Sequence, residues 1–233
     1  MRILALDSSA VSASAAICTD GVITGEYYTN SGFTHSQTLM PMVDSLLKTT
    51  MIKLEDIDAF AVCKGPGSFT GLRIGIACVK GMAMALDKPC IGVSTLECVA
   101  QGGVNYKGII CCVMDARCSQ VYNALFRSDG AHLERLCEDR AIALSDLQKE
   151  LVRYTEDVYI LGDGAAITKS FLADDKYTVP AANNVYQRAS SLALCANDMY
   201  CKGIYCDASS LMPVYLRLPQ AERELNNRKN LSK

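Results

Sequence analysis

One order of elements occurs twice in this chain, and that duplication limits the available folds more than any single motif. In the first half, Arg2 to Asp7, Ser12 to Cys18 and Val22 to Thr29 read as three antiparallel strands, with Asp20-Gly21 as a turn. His35 to Thr49 follows as a helix, because Leu39, Met42, Val43, Leu46 and Leu47 recur at helical spacing. A buried strand at Ala59 to Cys63, a Gly/Pro-rich loop at Gly65 to Gly71, a helix at Leu72 to Leu86 and a strand at Cys90 to Val93 complete the half. The second half repeats the order without the residues. Gly108 to Met114 ends at Asp115, Gln120 to Arg127 and His132 to Cys137 follow with the turn Asp129-Gly130, and helices at Ser145 to Tyr154 and Ala189 to Lys202 flank a strand at Val158 to Leu161. Gly162-Asp163-Gly164 closes that strand, and Val214 to Leu218 reads as a last one. The pattern is an α/β fold, β-β-β-α-β-α twice. A boundary within Gln101 to Lys107 gives units 1–104 and 105–218, with 219–233 a polar tail expected to be a frayed helix or disordered.

Composition narrows the function. The chain is 50% hydrophobic and 21% charged, with a formal net charge of -2 and a pI near 5.7. A basic field able to hold nucleic acid through many phosphates is therefore missing, and autonomous RNA binding is not expected. Met1 to Leu6 meets Asp7 too soon for a secretory h-region, and no run of 18 apolar residues occurs. The expectation is a cytoplasmic chain that does not engage a membrane. Twelve cysteines suggest a disulfide framework, but many sit inside apolar runs such as Ile110-Cys111-Cys112-Val113, so most are expected to be reduced core thiols. Cys201 and Cys206, with Cys195 upstream, supply one gap of zinc spacing but no nearby His, and His35 and His132 lie too far apart in sequence for a helical metal pair. No metal site is expected.

Asp7 and Asp115 each end the first strand of their half, where α/β sheets place ligand crevices. Two readings stay open. The acids face a cleft that holds a magnesium-bound nucleotide, with Ser8 and Ser9 toward phosphate, or they cap turns by accepting backbone N–H bonds. The loop Gly65 to Gly71 leads into a helix, the ingredients of an anion cradle, yet it is neither G-x-x-x-x-G-K-[ST] nor G-x-G-x-x-G. Gly71, Gly75, Ala77, Gly81, Ala83 and Ala85 leave that helix thinly covered, which suits close approach by another helix. His35, a general-base candidate, also fits a helix cap or surface residue, and Ser94 and Thr95 have no obvious base. Met40, Met42, Met51, Met82 and Met84 gather on the two helices as core fillers or an adaptable contact.

The run Lys64-Gly-Pro-Gly-Ser-Phe-Thr-Gly-Leu-Arg-Ile-Gly75 resembles the TsaB (YeaZ-type) family of bacterial tRNA threonylcarbamoyladenosine (t6A) biosynthesis proteins. Asp7-Ser8-Ser9, His35-Ser36, Gly92 to Leu96, Asp115-Ala116-Arg117, Val121-Tyr122, Gly162 to Gly164 and Pro213 to Arg217 fall in the family's order. Gln120 departs from the Glu common there. The resemblance implies a duplicated actin-like, hexokinase/Hsp70-type (ASKHA, RNase H-like) fold. It also implies a non-catalytic paralogue of TsaD, the transferase that modifies adenosine 37. TsaD holds a metal with a helical His pair just after a strand like Cys90 to Val93, whereas Ser94 to Val99 here contains no His. The implied partners are TsaD in a heterodimer, the ATPase TsaE, and a second copy when the chain is alone, with tRNA met only through the complex. The expected contact residues are His35, Leu39, Phe69, Leu72, Arg73, Gly75 and Ile76, with a bulky Gly75 breaking the heterodimer in a folded monomer. No cofactor is required on this reading. Weak ATP or ADP with magnesium would use the Asp7, Ser8, Ser9 and Asp115 cleft. The competing reading is an actin-like kinase or a glycoprotease-type hydrolase acting alone.

Overall fold

The computed structural model describes residues 1–181 and 185–217. Its first half runs β1 (Arg2–Asp7), β2 (Ala13–Thr19), β3 (Val22–Thr29), α1 (His35–Thr50), β4 (Ala59–Gly65), α2 (Phe69–Leu86), β5 (Cys90–Ser94) and α3 (Thr95–Gly102). The second runs β6 (Gly108–Asp115), β7 (Gln120–Ser128), β8 (Leu133–Arg135), β9 (Arg140–Ala143), α4 (Leu144–Leu151), β10 (Val158–Leu161), α5 (Ala165–Leu172), β11 (Tyr177–Thr178) and α6 (Ala189–Cys201). The strands form two sheets, β3-β2-β1-β4-β5 and β8-β7-β6-β10-β11, with β9 also on β7. The two orders correspond strand for strand. In each, the first strand pairs antiparallel with the second and parallel with the strand that follows the half's first helix, β4 or β10, so the duplicated actin-like α/β fold is realised.

Alternation along the central strands divides each sheet between two layers. Leu4, Leu6, Phe60 and Val62 pack with Leu39, Val43 and Leu46 of α1 and Ile76 and Val79 of α2. Ile3, Ala5, Ala59, Ala61 and Cys63 pack on the opposite side with Ala189, Leu192, Ala193 and Ala196 of α6. Small side chains on both partners let α6 lie close, and each large apolar residue buried here contributes roughly 1.5–3 kcal/mol. In the second sheet Ile109, Cys111 and Val113 face Leu144, Leu147 and Leu151 of α4, while Ile110, Cys112 and Met114 face Leu96, Val99 and Ala100 of α3.

The last helix of each half thus covers the other half's sheet. This corrects the linear split at 104/105 for α6, whose apolar stripe matches the small residues of β1 and β4. The Glu26 carboxylate fixes its start, accepting from Arg188 Nη2 at 2.6 Å and from the Ser190 amide at 3.0 Å.

Three short elements, α3, α5 and β11, and the edge strand β9 were not expected from the sequence. The strand expected at Val214 to Leu218 does not form over its described residues. After α6 the chain instead returns as an extended strap along α2. Cys206 bridges Cys90, Lys80 Nζ donates to the Ser209 and Leu211 carbonyls, and the Val214 amide donates to Lys64 O at 2.7 Å. Val214 and Tyr215 favour a strand, but among the described residues no ladder partner runs beside them. The tail expected at 219–233 lies outside the described residues. α2 is long and apolar enough to cross a membrane by length and composition, yet Leu72, Ile76, Val79 and Ala83 are buried in its own lobe.

Candidate functional site

A cavity of about 530 Å³ opens between the lobes. The β1–β2 turn, the loop into α2, the β6–β7 turn, Asp163 and the strap line it. The glycine-rich loop folds tightly because the Ser68 amide donates to Ser9 O at 2.7 Å and the Ser68 hydroxyl caps α2 by accepting from the Gly71 amide at 3.2 Å. The start of α2, Ser68 to Thr70, is thereby presented to the cavity.

The two equivalent acids differ. Asp7 accepts from the Ser9 amide at 2.8 Å and Asp115 from the Arg117 amide at 2.7 Å, so the turn-capping reading holds for both. Asp7 is buried behind the cavity floor, and burial pushes its carboxyl above the usual range. Its Oδ2 and the Ser9 hydroxyl have no hydrogen-bond partner among the described residues. Ser8 Oγ donates to Gly71 O at 2.9 Å, which ties β1 to α2. Of the predicted cleft set, only Ser9 and Asp115 line the cavity; Asp7 and Ser8 do not.

Asp163 was missed as an acid because Gly162-Asp163-Gly164 reads as a turn. Burial, and then the nearby Asp115, push its carboxyl up to about 6, against a hydrogen bond from Gln187. On the strap, Tyr215 stacks on Phe69 at 4.8 Å and accepts from Arg73 Nε at 3.0 Å, while Arg73 covers the Phe69 ring at 3.8 Å. Arg217 then reaches the Ala116 carbonyl in the second lobe.

The predicted contact residues divide by which side of the helix they occupy. Phe69 is partly exposed and Arg73 exposed, but both are engaged by Tyr215. Leu39, Leu72, Gly75 and Ile76 are buried in their own lobe, which corrects their assignment to a docking surface. A Cβ on Gly75 would stand 2.6 Å from Ser8 Oγ and 3.2 Å from Val62, so a bulky residue there attacks the monomer's own core. His35 Nε2 donates to Ala10 O at 2.7 Å, which fixes the ring against the β1–β2 turn. The outer face of α2 holds Ile74, Ala77, Cys78, Gly81, Met84 and Ala85. Arg73 and Lys80 border it, Ile74 and Cys78 also pack against the core, and Met84 is 69% exposed.

Ser94, where the resemblance places the paralogue's metal helix, caps α3 here. Its hydroxyl accepts from the Glu97 amide at 3.2 Å and donates to Asp139 at 2.5 Å. Arg135 joins Asp139 at 2.8 Å to Glu97 at 3.3 Å, closing an ionic ring between the lobes. Among the described residues no three His, Cys, Asp or Glu side chains are grouped to hold a metal ion.

Residues 30–225 match the family model described as "TsaD: tRNA N6-adenosine threonylcarbamoyltransferase". The Bacillus subtilis tRNA threonylcarbamoyladenosine biosynthesis protein TsaB is 34% identical over 95% of this chain and 96% of its own length. The chain belongs to the TsaB family. The Escherichia coli TsaB is 31% identical over 97% of this chain and 98% of its own. The crystallised YeaZ of Pseudomonas aeruginosa superposes with a TM-score of 0.80 at 28% identity, covering 92% of this chain and 99% of that one.

Proposed function

We propose that this chain is a non-catalytic subunit of a t6A-forming assembly that docks a TsaD-type transferase through the outer face of α1 and α2. The observation that carries the reading is Gly81. It lies mid-helix and exposed, and a Cβ there would meet nothing within 4 Å among the described residues. Glycine at such a position costs about 1 kcal/mol of helix stability relative to alanine. Nothing in the described monomer requires it, whereas a helix crossing at short range does. The uncharged neighbours Ile74, Ala77, Cys78 and Ala85 extend the same contact area. When alone, the chain uses this face to pair with a second copy, an isologous arrangement suited to one self-complementary stripe. The partner's active site carries the transfer chemistry, TsaE joins the assembled pair, and tRNA is met through the complex. Thr95 and Val99 cannot replace imidazole ligands.

Asp115 at the cavity wall and the α2 N-terminus favour a second, lesser property, weak binding of ATP or ADP with magnesium. On the competing kinase reading the same cleft would turn over ATP. Reconstitution separates these. Threonylcarbamoyl transfer to tRNA should require both this chain and a TsaD-type protein, with no transfer and no ATP turnover by this chain alone. Turnover by the isolated chain that is lost in Asp115→Ala would establish the kinase instead.

A further inference from the structure

Cys206 on the strap and Cys90 on β5 face each other directly. The Cys90 amide donates to Cys206 O at 2.8 Å and the Cys206 amide to Cys90 O at 2.9 Å. A pair exchanging both bonds holds its Cα atoms about 5.5 Å apart, inside the span of roughly 4.4–6.8 Å that a disulfide bridges. Both side chains join one apolar cluster, so they lie on the same side of the bridge. Both thiols are free.

We propose that Cys90 and Cys206 are a thiol–disulfide modification site, oxidised by a low-molecular-weight disulfide, that staples the strap to the edge of the first sheet. Cys206 is the entry point because it is partly exposed, whereas Cys90 is sealed. Its thiolate attacks one sulfur of the incoming disulfide, forming a mixed disulfide and expelling one thiolate. Cys90 then loses its proton and attacks the Cys206 sulfur, expelling the second. Two protein thiols are oxidised and one small disulfide is reduced to two thiols, so the exchange balances. Burial pushes both thiols up, Cys90 to about 11, so the order of attack follows from exposure, which only Cys206 has. Cys63 and Cys98 also lie near each other, at 3.6 Å between sulfurs, but both are sealed in the core. In a reducing compartment an accessible pair of this kind is transient and regulatory.

The staple has a mechanical target. Downstream of Cys206, Val214 to Arg217 form one wall of the cavity, and Tyr215 holds Phe69 and Arg73. Joining Cys206 to β5 shortens the free length of that wall and restricts the cleft.

The test equilibrates the full chain with mixtures of reduced and oxidised glutathione, alkylates free thiols and maps peptides by mass. A crosslinked Cys90–Cys206 peptide should accumulate while Cys63 and Cys98 stay reduced. Cys90→Ser should trap Cys206 as its glutathione adduct. Amide exchange at Val214 should slow about tenfold or more on oxidation. The proposal is overturned if wild-type Cys206 ends as the glutathione adduct with Cys90 still alkylated. It is equally overturned if the crosslink forms and exchange at Val214 does not change.

Discussion

The two lobes share a strand order and differ in where they expose polarity. In the first, Asp7 is sealed behind the loop into α2, and the exposed Ala77, Gly81, Met84 and Ala85 give that helix an uncharged stretch. In the second, Asp115 is exposed and lines the cavity with Asp163, and α4 and its neighbours carry ion pairs such as Lys149–Asp146 at 2.9 Å and Arg140–Glu150 at 2.7 Å. The helix equivalent to α2 is α5, which has 8 residues against 18. One copy has a long helical face suited to a partner, and the other supplies the acids of the cleft. Equivalent position in a duplicated fold therefore fixes geometry without fixing chemistry.

The largest test of that contrast is Gly75→Leu. Its side chain must enter the space of Ser8 and Val62, so the first lobe should lose about 3 kcal/mol or more in urea unfolding. Arg135→Ala breaks the ionic ring that joins the lobes and should cost about 2 kcal/mol by the same measurement, since Asp139 and Glu97 lose their partner in a partly buried site.

Asp163→Asn should act in the opposite direction. The folded carboxyl titrates near 6, above its ordinary 3.8, so the folded state binds the proton more tightly. Wild-type stability attributable to this group is full below about pH 4 and falls as pH rises through 6. The amide should therefore stabilise the protein by about 1–2 kcal/mol at pH 8, with the gain vanishing by pH 4. A gain independent of pH would contradict the assignment. Gly81→Ala should give the smallest change, a stabilisation of the isolated monomer by about 0.5–1 kcal/mol.

The elements legible in the sequence were those with long periodic patterns. β3 and β10 lie where alternation and turn residues placed them, and α1 differs by one residue at its end. α2 starts three residues before its apolar periodicity does, because Phe69-Thr70-Gly71 reads as loop while Ser68 in fact caps a helix that already includes them. α3 was missed although Ser94 and Glu97 have capping-box spacing, since eight residues beside a strand end give little periodicity. The destination of α6 was invisible, because which sheet receives a stripe of alanines is a tertiary matter.

Of the residues lining the cavity, Asp115 and Ser9 stand out in the sequence, whereas Asp163 is hidden inside a turn signal. The expected contacts Leu72, Gly75 and Ile76 lie on the buried side of α2. Apolar periodicity marks the face turned inward, and the outward small residues leave almost no signal of their own.

The central claim is that the outer face of α2 is a docking surface, and Gly81→Arg tests it most directly. Light scattering coupled to size exclusion should show the wild-type chain as a dimer alone and as a heterodimer with a TsaD-type protein. The Gly81→Arg variant should elute as a monomer in both cases, with an unchanged circular dichroism spectrum. Retention of both complexes by the folded variant would contradict the account.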